Sequence, residues 1–127
     1  MSAQVSNDIQ ITKEDQNQIS GFAKAHDALK YVSEEIKIVD TQIDKLDDVI
    51  TEIEMEDDDA KMQVKLGDGF VFLTIDQARE MFEKDKKRLE ADLIVRRATG
   101  KDLSKKCADF KSSLKAKFGN KINLDES

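Results

Sequence analysis

The sequence predicts a mainly α fold: a long antiparallel coiled-coil helical hairpin with one β-hairpin between the helices. Three observations predict it. Apolar residues recur with a seven-residue period through the first half of the chain. The stretch from Lys61 to Leu73 switches to period 2 around Gly67-Asp68-Gly69. The chain has no proline, is 38% charged and only 6% aromatic, a composition of long helices rather than of a compact globule.

The elements follow in order, within one domain spanning 1–127. Residues 1–11 are expected to be a flexible N-terminus, although Val5, Ile9 and Ile11 are apolar. Helix 1 is expected over 12–55. Thr12 precedes the acidic first turn Glu14-Asp15, where a hydroxyl caps free N–H groups and negative charge suits the helix dipole. Phe22, Leu29, Ile36, Ile43 and Ile50 fill heptad position a; Ala25, Val32, Val39, Leu46 and Ile53 fill position d. Such an unbroken apolar seam is the signature of a coiled coil. The acidic run Glu54, Glu56, Asp57, Asp58 and Asp59 opposes the negative C-terminal end of the dipole and stops the helix.

The β-hairpin is expected over 61–73. Asp68-Gly69 suits a two-residue turn, which sets Leu66 opposite Val71. All of Gly67 to Gly69 suits a three-residue loop, which sets Leu66 opposite Phe70 and Val64 opposite Phe72. The longer loop is preferred because it gathers the large apolar groups on one face. Helix 2 is expected over 74–118, opened by the capping box Thr74-Ile75-Asp76-Gln77. Its d series is Phe82, Leu89, Arg96, Leu103 and Phe110, and its a series Lys86, Leu93, Gly100, Cys107 and Leu114. The seam is sound at both ends and weak from Arg96 to Gly100, which reads as a soft segment. Gly119 suits a C-cap, and 119–127 form a tail. Antiparallel register places Ile53 near Ile75 to Ala78 and Phe22 near Cys107 to Phe110, with both termini at one tip.

Charge sorts the possible partners. Residues 1–60 hold 16 acidic and 5 basic side chains, whereas 61–127 hold 11 and 16. Two halves of opposite sign attract when folded back on one another. The basic positions from Lys101 to Lys121 therefore read as the answer to an acidic first helix. The net charge of −6 argues against nucleic acid as a partner. No apolar run approaches the roughly 20 residues of a membrane span, and the first ten residues lack the pattern of a signal peptide. A single cysteine, Cys107, excludes an internal disulfide framework and fits a reducing compartment. A cytoplasmic location is expected, and a nuclear one is compatible.

Chemistry-bearing residues are few. His26 and Cys107 come near each other in the antiparallel register but have no orienting third group; Cys107 reads as core packing and His26 as a solvated flank residue. Asp57-Asp58-Asp59 lacks the spaced oxygens and glycine of a calcium loop. Gly67-Asp68-Gly69 leads into a strand, not a helix, and so is a turn rather than a phosphate loop. No catalytic, metal or cofactor site is expected, and no enzyme. Function must lie in surfaces. Ile19, Phe22, Leu114 and Phe118, with Ile9, Ile11, Ile122 and Leu124, either complete the coil or form an apolar contact surface at the tip.

Helix, single β-hairpin and helix with both termini at one tip resemble the plan of the β-type prefoldin subunits. Three motifs carry the likeness: Thr12-Lys13-Glu14-Asp15-Gln16 before Ile19; Leu66-Gly67-Asp68-Gly69-Phe70; and Leu114-Lys115-Ala116-Lys117-Phe118-Gly119-Asn120-Lys121-Ile122-Asn123-Leu124. The likeness covers residues 9–126, with the weak seam from Arg96 to Gly100 as its departure. It implies a subunit of a heterohexameric, ATP-independent co-chaperone without cofactor. Its partners would be two α-type and three further β-type subunits, unfolded clients of the actin and tubulin type, and the cytosolic chaperonin. Family hairpins join into β-barrels, from which the coiled coils hang. Met62, Val64, Leu66, Phe70, Val71 and Phe72 are then the expected assembly surface. Ile9, Ile11, Phe22, Leu114, Phe118, Ile122 and Leu124 are the expected client contacts. The alternative is a structural coiled-coil adaptor or tether without chaperone activity.

Overall fold

The computed structural model describes residues 11–119, together with the backbone of residues 4–5 and 122–123. In chain order it contains β1 (Gln4–Val5), α1 (Lys13–Ile53), β2 (Lys61–Leu66), β3 (Gly69–Thr74), α2 (Ile75–Phe118) and β4 (Ile122–Asn123). Two long helices with a β-hairpin between them along the chain are the predicted fold class.

Each helix begins where its cap dictates. At α1, the Thr12 N–H donates to Asp15 Oδ2 at 3.0 Å and the Asp15 N–H donates to Thr12 Oγ1 at 3.1 Å. This reciprocal pair satisfies two N–H groups that a bare helix end leaves open. Thr74 and Gln77 repeat the arrangement at α2, at 3.0 and 3.1 Å. Helix α1 ends at Ile53, as the acidic run begins. That run folds against the start of α2: the Ile75 and Asp76 N–H groups donate to the carbonyls of Ala60 and Asp58, and Arg79 pairs with Asp58 at 3.1 Å.

The chain divides into two compact units. The hairpin unit spans 36–95. Here Val39, Ile43 and Leu93 form one buried cluster, flanked by Ile36 and Leu89. Ile53, Ile75 and Ala78 form another, joined by Met62, Leu73 and Phe82. Lys86 occupies a core position but sends its ammonium to Asp47 at 2.5 Å. That hydrogen bond, chiefly, holds the lysine above its ordinary pKa. The order of these contacts is antiparallel.

The terminal unit comprises 1–35 and 96–127. Its core is Phe22, Leu114 and Phe118, flanked by Ile19, Cys107 and Phe110. Lys117 reaches Asp15 at 2.5 Å, and Arg96 reaches Glu35 at 3.5 Å. These contacts are also antiparallel. Across both units, cross-helix ion pairs join acids of the first half to bases of the second, as the charge asymmetry predicts. None of the ten heptad residues of α1 is exposed. The soft segment from Arg96 to Gly100 is continuous helix, but no α2 residue between Leu93 and Leu114 is buried.

Pairing of β1 with β4, Gln4 opposite Asn123 and Val5 opposite Ile122, lies in the segments expected as flexible N-terminus and tail. Partners so far apart in sequence leave no local signal of their pairing.

Candidate functional site

Two surfaces, one in each unit, carry the candidate function. In the hairpin, Gly67 has φ +59° and no non-glycine residue described has positive φ. Glycine with positive φ at the first central position is the pattern of a type II′ turn, made here by Gly67 and Asp68. Leu66 consequently faces Gly69, Val64 faces Val71 and Met62 faces Leu73. Both turns expected from sequence are therefore corrected, by one or two positions along β3. The second glycine opens the strand instead of closing the turn.

The correction changes what the hairpin presents. Residues opposite one another share a face, so Met62, Val64, Val71 and Leu73 lie together. This face turns towards the Ile53–Ile75–Ala78 cluster, and Val64 is 7% exposed. Phe70 and Phe72 share the other face with Lys61, Gln63 and Lys65. They are 62% and 71% exposed. Of the six residues expected to mediate assembly, Leu66, Phe70, Val71 and Phe72 are exposed, Met62 is half-buried and Val64 is internal. Each strand also has one edge without a neighbour among the described residues, where backbone N–H and C=O groups can pair with another chain.

In the terminal unit, the expected client contacts are largely internal. Phe22 is 3%, Leu114 2% and Phe118 7% exposed. They pack together in the core of this unit: Phe22 and Leu114 hold a positions that point at the facing helix, and Phe118 follows Leu114 by four residues onto the same helix face. Ile11 is half-buried. Ile9 and Leu124 lie outside the described residues, as does the side chain of Ile122.

A groove that the heptads did not indicate opens beside this core. Gly21, Ala25 and Ala28 line it from α1, and Leu103 and Phe110 from α2; its volume is about 650 Å³. Spacings of four and three place the small residues on one helix face. The Phe110 ring approaches so closely that a β-carbon on Gly21 would lie 2.7 Å from it. Ala25 at a seam position, with Gly21 and Ala28 beside the seam residues Phe22 and Leu29, was the available sequence signal.

Asp15 is the buried charged residue among those described, 4% exposed. The Lys117 hydrogen bond, then that of the Thr12 backbone, holds its carboxyl below the ordinary range despite burial. His26, expected as a solvated flank residue, is instead largely covered beside Phe22, with ring centroids 5.9 Å apart. Burial pushes the Cys107 thiol up, which disfavours the thiolate that nucleophilic chemistry needs. No group of three metal-ligating side chains occurs among the described residues, and no described helix is long and apolar enough to cross a membrane.

Two long helices with a β-hairpin between them along the chain are the fold of a prefoldin beta subunit. The solved prefoldin beta subunit from Thermococcus strain KS-1 superposes with a TM-score of 0.77, covering 87% of this chain and 96% of that one at 20% identity. Residues 16–121 match the family Prefoldin_2, described as prefoldin subunit. The chain belongs to the prefoldin subunit family. It is similar in particular to prefoldin subunit 4: the Homo sapiens protein is 32% identical over 126 residues, covering 98% of this chain and 94% of that one. The Saccharomyces cerevisiae protein of the same name is 34% identical over 119 residues, 94% and 92% of the two chains.

Proposed function

We propose that this chain is one subunit of a heterohexameric, ATP-independent co-chaperone in the cytosol, built with two α-type and three further β-type subunits. The complex binds unfolded clients of the actin and tubulin type and delivers them to the cytosolic chaperonin. Family membership supports the chaperone role. The observation that carries assembly through the hairpin is the outward pair Phe70 and Phe72, 62% and 71% exposed, beside strand edges that are unpaired among the described residues. An isolated two-stranded hairpin is marginal in water, and burying two aromatic rings against a partner strand removes that weakness. Leu66 and Val71 are also exposed, but on the opposite face of the hairpin. A helical adaptor would need only a turn between its helices, not an aromatic strand.

The test is replacement of both rings, Phe70→Asp with Phe72→Asp, followed by native mass spectrometry of the subunits mixed in equal amounts. Helical content should persist while the hexamer is lost. A hexamer of unchanged mass and yield would overturn assembly through this face.

A further inference from the structure

We propose that the outward face of the hairpin selects its neighbour by charge. Lys61 and Lys65 take a strand of another subunit that carries two carboxylates on one face, and the same lysines keep two copies of this chain from pairing. The proposal rests on the reading of the hairpin as the assembly element, and names the chemistry of the partner strand.

The two lysines contrast with their surroundings. Residues 46–78 hold ten acidic side chains and two basic ones, Lys61 and Lys65. The hairpin unit as a whole holds 17 acidic and 9 basic residues. Neither β2 nor β3 contains an acidic residue. Period-2 alternation puts both lysines on the face of Phe70 and Phe72, with Lys65 opposite Phe70 and Gln63 opposite Phe72. Both lysines are exposed, and neither is ion-paired among the described residues. The opposite face carries Met62, Val64, Leu66, Val71 and Leu73, without a charge.

Strand geometry makes this pattern selective. The outer edge of β2 is open among the described residues. For two copies of the chain, the antiparallel register that keeps both outward faces together is centred on Gln63. It sets Lys61 of each copy opposite Lys65 of the other. Like charges in direct opposition destabilise a sheet, and lysines on an edge strand block edge-to-edge pairing. A different strand, with carboxylates at the positions opposite Lys61 and Lys65, replaces both repulsions by attractions. Burial of Phe70 and Phe72 supplies affinity without regard to the partner's sign; the lysines decide which partner is kept.

The experiment mixes the subunits of the hexamer in equal amounts, with unaltered and isotopically labelled variant chains competing for one place. Native mass spectrometry reads the ratio incorporated. Lys61→Glu with Lys65→Glu should enter about tenfold less often at low salt, with the deficit shrinking as salt screens it. Lys61→Arg with Lys65→Arg keeps the charge and should enter as often as the unaltered chain. Equal entry of the glutamate variant, a deficit that salt does not relieve, or exclusion of the arginine variant would overturn the proposal.

Sedimentation equilibrium of the full-length chain alone tests self-exclusion. Lys61→Glu by itself places a glutamate opposite Lys65 of a second copy and should raise self-association about tenfold, whereas the double glutamate variant should not. No rise in the single variant, or the same rise in both, would overturn the proposal. So would dimerisation of the unaltered chain that is lost on Phe70→Asp with Phe72→Asp, which would make a second copy the occupant. The same phenylalanine variant separates the two levels. A hexamer that survives it sinks the assembly reading; a hexamer lost by it but indifferent to the lysines sinks only the selection by charge.

Discussion

The Phe110 ring occupies the space that a β-carbon on Gly21 would need, 2.7 Å from the ring edge. Glycine in a helix interior costs about 1 kcal/mol against alanine, whereas overpacking a formed contact costs about 1–3 kcal/mol. The second effect should win. Gly21→Ala is expected to destabilise by about 1 kcal/mol, and to become stabilising once Phe110→Ala has removed the ring. Denaturant unfolding of the two single variants and the double variant measures the change of sign. Equal effects in both backgrounds would show that the ring does not set the penalty.

Asp15 both caps α1 and receives Lys117 from the last turn of α2. Its carboxyl is held below the ordinary value of 3.8. The ionised form therefore contributes its full stability above that value and loses it as pH falls through the lower, folded value. Hydrogen-exchange protection at 12–18 and 114–118 should decline in acid below pH 3.8, ahead of the hairpin unit. Asp15→Asn should lower that protection at neutral pH and remove its acid dependence.

Leu114 tests whether this end of the coil acts as core or as client contact. Being 2% exposed, it should cost about 2–5 kcal/mol on truncation to alanine. An exposed contact residue would unfold like the unaltered chain and change only client binding. Thermal unfolding distinguishes the two.

The hairpin offers a matched pair of substitutions. Val64→Ala should destabilise by about 2 kcal/mol, since two methyl groups leave a packed face. Phe72→Ser, on the opposite face, should change the stability of the subunit by less than about 0.5 kcal/mol while weakening hexamer formation. Urea unfolding of the isolated chain and native mass spectrometry of the mixture report the two effects independently.

The parts legible from sequence were those encoded by local periodicity. Ten apolar heptad residues on α1, and the caps at Thr12 and Thr74, each act within a few positions along the chain. The acidic and basic halves were readable for the same reason, since sign survives any small error of register. Hairpin register was not readable. Gly67 and Gly69 both permit a turn, and which one adopts positive φ depends on what the strand faces pack against. Phe22 and Leu114 were legible as seam residues from their heptad positions, whereas Phe118, at neither a nor d, was legible as apolar but not as inward. The groove escaped detection because it is made by what Gly21, Ala25 and Ala28 lack.

The two-residue turn at Gly67-Asp68 also constrains how this chain can change length. Adding or deleting one residue within β3 beyond the turn would exchange its faces, sending Phe70 and Phe72 inward and Val71 and Leu73 outward. Two residues would restore the order. The strand therefore has something like a reading frame with a period of two, and natural or engineered length variants that keep assembly should differ there by even numbers.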